Sequence, residues 1–207
     1  MLITFEGIEG SGKSTQIALL YDYLKENGFD VIKTREPGGT VFGEDLRNVF
    51  LHHDVHIFPL SELLVFMAMR AQLVEELIMP ALQDGKIVLC DRFVDASYAY
   101  QGYGRGIDLG IIENLNRLVT KGIRPNLTIV LDCSVSEGFN RKIANGYSMD
   151  RFEKEEAAFH RKIKRSYLKL SKEDPKRFFV VDGKKRINDI QMLIRHKVEQ
   201  LLKSHGI

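Results

Sequence analysis

The run Gly7-Ile8-Glu9-Gly10-Ser11-Gly12-Lys13-Ser14-Thr15 follows the order G-x-x-x-x-G-K-[ST] at every fixed position. That order suits one chemistry, the gripping of a nucleoside triphosphate's phosphates, ATP above all. Gly7, Gly10 and Gly12 free the backbone to turn successive amides inward around phosphate oxygens. A helix starting at Lys13 would add its unpaired N–H groups and partial positive charge. Lys13 can then reach the outer phosphates, and the Ser14 hydroxyl can ligate Mg²⁺.

Such loops usually hold Mg²⁺ with the help of an acidic residue at the tip of an apolar strand. Asp91, Asp132 and Asp182 each end an apolar run, and spacing alone does not choose between them. Asp91 is favoured because Arg92 follows it, so a metal-side carboxylate and a phosphate-binding guanidinium would leave one strand tip together. The other two suit the start of a turn or helix.

The elements that must position these groups are legible as an alternation. Leu2–Phe5, Val31–Lys33, Ile87–Cys90, Leu127–Leu131 and Phe178–Val181 are short apolar runs, as in a parallel sheet covered on both faces. Helical patterns over 13–27, 43–51, 60–83, 108–121, 135–145, 153–172 and 187–203 lie between and around them. Gly28 is a stop signal, and Ser134-x-x-Glu137 a capping box. The alternation predicts an α/β layered fold with right-handed crossovers. At 207 residues, without repeat or linker, the chain is expected to form a single domain, 1–207.

Composition narrows the class. Hydrophobic residues at 44% and charged residues at 28% are the balance of a globular protein. A net charge of +2 without a basic tract argues against a nucleic-acid polymer as partner. The two cysteines, Cys90 and Cys133, sit in apolar runs and read as buried free thiols. Glu6-Gly7 comes too early for an export signal, and no apolar run reaches the length of a membrane span, so a cytoplasmic protein is expected. His52, His53 and His56 lack a fourth ligand nearby and read as a polar connection rather than a zinc site. The basic run Lys162–Arg165 reads as a solvated helix face, and Gly102-Tyr-Gly-Arg-Gly106 as a mobile loop.

Beyond the phosphate loop, several segments stand together: Thr34-Arg-Glu-Pro-Gly-Gly-Thr40, Phe66-Met-Ala-Met-Arg70, Asp91-Arg92-Phe93, Ser97-Tyr-Ala-Tyr-Gln101 and Asp150-Arg-Phe-Glu153. With them the chain resembles the thymidylate kinase family over essentially its whole length. The resemblance implies a three-layer P-loop NTPase fold, a five-stranded parallel sheet flanked by helices with a small helical lid near 141–152. It implies transfer of the γ-phosphoryl group of ATP to dTMP, with Mg²⁺, in a homodimer. Phe66 and Arg70, at i and i+4, share a helix face. The resemblance assigns Phe66 to stacking on thymine and Arg70 to its O4 side, Ser97 to the N3 edge, Gln101 to the same pocket and Tyr100 to the sugar. It gives Glu9 to the 3′-hydroxyl and Arg35 and Arg92 to the acceptor phosphate, with Pro37 in a rigid turn placing Arg35, preceded by a peptide bond of either isomer.

The lid departs from the family pattern. Ile143 and Asn145 stand where arginines are expected, which leaves Arg141, then Arg151, as candidate transition-state cations beside Lys13 and Arg92. The alternative is another nucleoside-monophosphate or deoxynucleoside kinase on the same core. A nucleotide switch would need neither Arg70, Arg92 nor Tyr100, and the guanine-reading N-K-x-D is missing.

Overall fold

In the computed structural model, which describes residues 1–52, 56–144, 151–152 and 155–206, the five apolar runs are the five strands of one sheet. They are β1 (Leu2–Glu6), β2 (Val31–Arg35), β3 (Ile87–Asp91), β4 (Leu127–Asp132) and β5 (Phe178–Asp182). The order is β2-β3-β1-β4-β5, parallel throughout, with Phe5 opposite Asp91 on one side and Glu6 opposite Val130 on the other. β1 is central, every one of its residues is buried, and the chain crosses from one half of the sheet to the other around it. Ligands of such sheets sit beyond the carboxyl ends of the strands at that crossing.

Side chains alternate between the faces, as the pleat requires. Ile3, Phe5, Leu89 and Ile129 pack with Ile17, Leu20 and Leu24 of α1 (Lys13–Glu26) and with Ile190, Ile194 and Val198 of α9 (Ile187–Ser204). On the opposite face, Leu2, Val88 and Cys90 meet Leu73, Val74 and Ile78. These last belong to a long helical stretch made of α3 (Pro59–Leu73), a π-helical segment Val74–Ile78 and α4 (Met79–Gln83). Each such aliphatic side chain contributes about 1.5–3 kcal/mol on full burial. Cys90 and Cys133 are buried free thiols, as expected.

The remaining helices are α2 (Val41–His52), α5 (Val94–Ser97), α6 (Leu109–Val119), α7 (Val135–Ala144) and α8 (Ala157–Glu173). The capping box at α7 forms in both directions, Ser134 N–H to Glu137 Oε2 at 3.0 Å and Glu137 N–H to Ser134 Oγ at 3.2 Å. Gly28 ends α1 with a positive φ of 82°. Lys164 in the basic run of α8 pairs with Asp132 at 2.8 Å, while Lys162 and Arg165 face solvent. Residues 145–150 of the expected lid and His53 of the histidine group lie outside the described residues.

One expectation is overturned. Tyr98–Gly104 is a π-helical continuation of α5, not a mobile loop, and Gly102 is buried. Close packing explains why glycines occur there. A Cβ on Gly102 would come within 2.5 Å of Leu109 Cδ2, and one on Gly104 within 2.9 Å of Phe159 and Ile163 on α8. A second close approach locks the phosphate loop. A Cβ on Gly138 of α7 would lie 2.3 Å from the Glu9 carbonyl oxygen, and one on Gly10 would lie 2.0 Å from the Gly138 carbonyl oxygen. Backbone packs on backbone there, and neither side can rotate away. Gly138→Ala is therefore expected to lower stability by about 1–3 kcal/mol, read as an earlier urea midpoint with unchanged slope; an unchanged midpoint would refute this reading of the contact.

Candidate functional site

The sheet delivers the phosphate loop and Asp91 to the same edge. Residues 7–12 leave β1 and enter α1, whose N-cap is Gly12, with no side chain capping it. Its first N–H groups are thus left for a ligand. Gly7, Gly10 and Gly12 all have positive φ, and the buried Ser11 hydroxyl has no hydrogen-bond partner. Ile8 is in the core, whereas Ser14 and Thr15 are exposed at the loop's rim. Lys13 folds back over the loop, Nζ donating to the carbonyls of Gly7 at 3.3 Å and Ile8 at 3.0 Å. Burial, then the Arg92 charge, lowers its pKa.

β3 and β4 both flank β1, so side-chain contacts rather than strand order separate Asp91 from Asp132. The Ser14 hydroxyl donates to Asp91 Oδ2 at 3.0 Å. Asp132 is engaged by Lys164 at 2.8 Å, and Asp182 accepts the Lys184 amide at 3.0 Å. Ser14 and Asp91 are hard oxygen donors that fit Mg²⁺, which typically takes one or two protein oxygens and completes its shell from phosphates and water. Among the described residues no group of three or more His, Cys, Asp or Glu side chains converges on a metal position.

A cavity of about 250 Å³ opens from this edge. Glu9, Gly10, Lys13 and Ser14 of the phosphate loop and its helix line it together with Phe66, Arg70, Ser97, Tyr100 and Gln101, and with Arg35, Pro37, Asp91 and Arg92. Sequence reading had named all of these. Phe66 lines the cavity and packs edge-to-face with Phe50, their ring centroids 5.2 Å apart. The Glu36–Pro37 bond is cis. Arg35 pairs with Glu44 at 2.9 Å.

Arg92 is the hub. Its φ of 70° is unusual for a residue with a side chain, a strain costing on the order of 1–3 kcal/mol. From there the guanidinium donates to the Gly7 carbonyl (2.9 Å), the Tyr167 hydroxyl (3.1 Å) and Glu9 Oε1 (2.8 Å). The Tyr100 hydroxyl donates to the same Glu9 oxygen at 2.6 Å. Burial pushes the Glu9 pKa up, but Arg92, then His160, Lys13 and Tyr100, outweigh it and hold the carboxyl well below the usual range.

Arg70 has found more partners than sequence reading anticipated. It is 1% exposed. Nε and Nη2 donate to Glu36, Nη2 also to the Phe93 carbonyl at 3.0 Å, and Nη1 to Ser97 Oγ (2.9 Å) and Asn116 Oδ1 (2.5 Å). All five of its N–H groups therefore have protein acceptors. The expected direct donation to a base carbonyl finds no free N–H in this arrangement; Ser97, which accepts from Arg70, still has a hydroxyl hydrogen to give.

The two lid candidates are not brought to the mouth. Arg141 donates to the Gly183 carbonyl at 2.9 Å, beyond β5. Arg151 pairs with Glu62 at 3.0 Å and lies over the Phe50 and Phe152 rings. Glu36, Arg47, Glu62, Asn116 and His160 escaped sequence reading. Arg47 lines the cavity and donates to the Pro37 carbonyl at 2.6 Å. His160, 1% exposed on α8, places Nδ1 3.6 Å from Glu9 Oε2. Glu36 alone had a signal, as the only carboxylate in the segment Thr34–Thr40.

Beneath the site, Glu6 is fully buried and accepts from the Tyr167 hydroxyl (2.7 Å) and the Phe93 amide (2.9 Å). Burial raises its pKa to about 8, more than Arg92 and these donors lower it. Unfolded, the carboxyl would ionise near 4.5. The folded state thus binds the extra proton between those values, and this group's contribution is complete below about 4.5 and lost as pH rises through about 8. Glu6→Gln is expected to remove that decline, which can reach about 1.4 kcal/mol per pH unit. Urea midpoints from pH 5 to 9 that fall equally steeply in both proteins would contradict it.

The family model for thymidylate kinase matches residues 5–194. The chain is 50% identical over 199 residues to the thymidylate kinase of Geotalea daltonii, covering 93% of each. It is 45% identical over 206 residues to that of Kosmotoga olearia, covering 100% of this chain and 99% of the other. The crystal structure of thymidylate kinase from Ehrlichia chaffeensis superposes with a TM-score of 0.80 at 37% identity, covering 96% of this chain and 98% of that one. With strand order, phosphate loop and cavity all in keeping, the chain belongs to the thymidylate kinase family.

Proposed function

We propose that the chain transfers the γ-phosphoryl group of ATP to dTMP, giving dTDP and ADP, and that the two halves of the cavity are the two substrate sites. One observation carries this reading: the phosphate loop and the Phe66–Arg70–Gln101 wall border a single cavity, so donor and acceptor phosphates would meet at Arg92.

The nucleophile is already an anionic phosphate oxygen, since the second phosphate pKa is about 6, so no general base is required. The protein must instead align two polyanions, neutralise their repulsion and exclude water. Lys13 would exchange the Gly7 and Ile8 carbonyls for phosphate oxygens, moving less than a side-chain length. Ser14 and Asp91 would hold Mg²⁺, which supplies neutralising charge on the transferred group. Arg92 and Arg35 would take the acceptor phosphate, Glu9 the 3′-hydroxyl, Tyr100 the sugar, and Phe66 the base. Arg141 and Arg151, as lid cations, would each have to leave a protein acceptor. Lys13 and Arg92 already lie in the mouth and are the cations this reading relies on.

Initial rates with ATP and each of dTMP, dUMP, dCMP, AMP and thymidine test the assignment. dTMP should be the best acceptor, and equal use of AMP or thymidine would overturn it. Lys13→Ala should stay folded and lose a factor of about 10³ or more in transfer, whereas near-normal turnover would reject the loop's role.

The proposal includes a cytoplasmic homodimer. Leu60 and Leu64 on α3 and Ile111 and Leu118 on α6 are exposed at 54%, 49%, 48% and 72%, on helices that pack side by side. An apolar surface of this kind fits a second copy better than water. Leu118→Asp combined with Leu64→Asp should yield monomers in equilibrium sedimentation, and a wild-type monomer at micromolar concentration would refute the dimer.

A further inference from the structure

Gln101 lines the cavity at 2% exposure, and its Nε2 donates to Glu62 Oε1 at 2.8 Å. Glu62 is fully buried on α3. Its oxygens also take Arg105 (Nη2 to Oε2, 3.2 Å) and Arg151 (Nη2 to Oε2, 3.0 Å). A carboxylate between two guanidiniums is an acceptor only, whereas an amide carries a donor end and an acceptor end. The NH₂ of Gln101 is therefore the end that must face Glu62. Its carbonyl Oε1 is left as an acceptor on the cavity wall, with no donor to it among the described residues. Nearby, Ser97 Oγ accepts from Arg70, so its hydroxyl hydrogen is free to donate.

The wall thus offers one acceptor of fixed sense, the Gln101 carbonyl, and one adaptable hydroxyl, that of Ser97. A thymine or uracil edge presents an N3–H donor beside carbonyl acceptors, and each group finds its complement. Cytosine presents a bare N3 beside an amino group, setting its N3 lone pair against that of the Gln101 carbonyl, a mismatch the rotatable Ser97 hydroxyl cannot relieve. We propose that Glu62 is a specificity-determining positioning residue: by dictating which way the Gln101 amide faces, it makes the cavity accept pyrimidines protonated at N3 and refuse cytosine. The inference rests on the reading of this cavity as the base site.

The test measures kcat/KM for dTMP, dUMP and dCMP at saturating ATP in wild type, Glu62→Gln, Gln101→Leu and Arg105→Met. A glutamine at position 62 can donate as well as accept, so Gln101 is free to turn over. Glu62→Gln should then shrink the dTMP-to-dCMP ratio by about tenfold or more. Arg105→Met breaks an ion pair but leaves the Glu62 acceptor in place, and should keep the ratio. Loss of discrimination there too would reduce Glu62 to a structural support and overturn the proposal. An unchanged ratio in Glu62→Gln, with dTMP use impaired in Gln101→Leu, overturns the role of Glu62 and spares the base site. Undiminished dTMP use in Gln101→Leu overturns the base-site reading, and this inference with it. Should Glu62→Gln unfold, the Glu62→Gln/Arg105→Met double variant, which removes one orphaned guanidinium, gives the same comparison.

Discussion

Arg92 and Glu9 meet at 2.8 Å in a cleft where both side chains are about nine-tenths removed from water or close to it, at 14% and 15% exposure. A site built for two polyanions needs several cations in a poorly hydrated space, and each must have a partner before substrate arrives. Arg92 has Glu9, Arg70 has Glu36, and Lys13 has two carbonyls of its own loop, while the more exposed Arg35 has Glu44. Breaking one such buried pair by removing a partner typically costs about 3–5 kcal/mol, so the stand-in acids are tied to the fold as well as to binding.

This pairing explains the backbone around the site. Arg92 tolerates a positive φ because its guanidinium is over-determined by Gly7, Glu9 and Tyr167. Tyr167 in turn rests on Glu6, in the middle of the sheet. Strand, loop and helix α8 are thereby joined through hydrogen bonds as well as through the apolar contact of Ile8, Ile163 and Tyr167. The glycine-to-glycine approach of α7 to the loop adds a steric limit at the other side. The phosphate loop is pinned from both directions, as an electrostatically preorganised site requires.

Much of this was readable. A strict motif between a strand and a helix identified the cradle, and short apolar runs gave all five strands. The segment Gly102–Gly106 misled, because its glycines signal a loop locally, while Gly102 and Gly104 in fact serve close packing against α6 and α8. Glu62, Asn116 and His160 lay in helical patterns with no local mark, because a buried polar residue is recognisable only by the partner it meets across the fold. For the same reason the three strand-end aspartates looked alike until the fold set Asp91 against Ser14 and Asp132 against Lys164.

By itself the amino-acid sequence determined the chemistry on offer: which backbone could wrap a phosphate, which runs had to be buried, and which side chains carried charge. These follow from spacings of a few residues, within one turn or one strand. Tertiary structure alone decided which charges neighbour one another, and therefore that every Arg70 N–H is spent, that Arg151 lies on Glu62, and that the Gln101 carbonyl faces the cavity. Electrostatic and hydrogen-bond energies depend on distances of a few ångströms between groups far apart in the chain, 89 residues for Arg151 and Glu62 and 161 for Tyr167 and Glu6, and no local pattern encodes such distances.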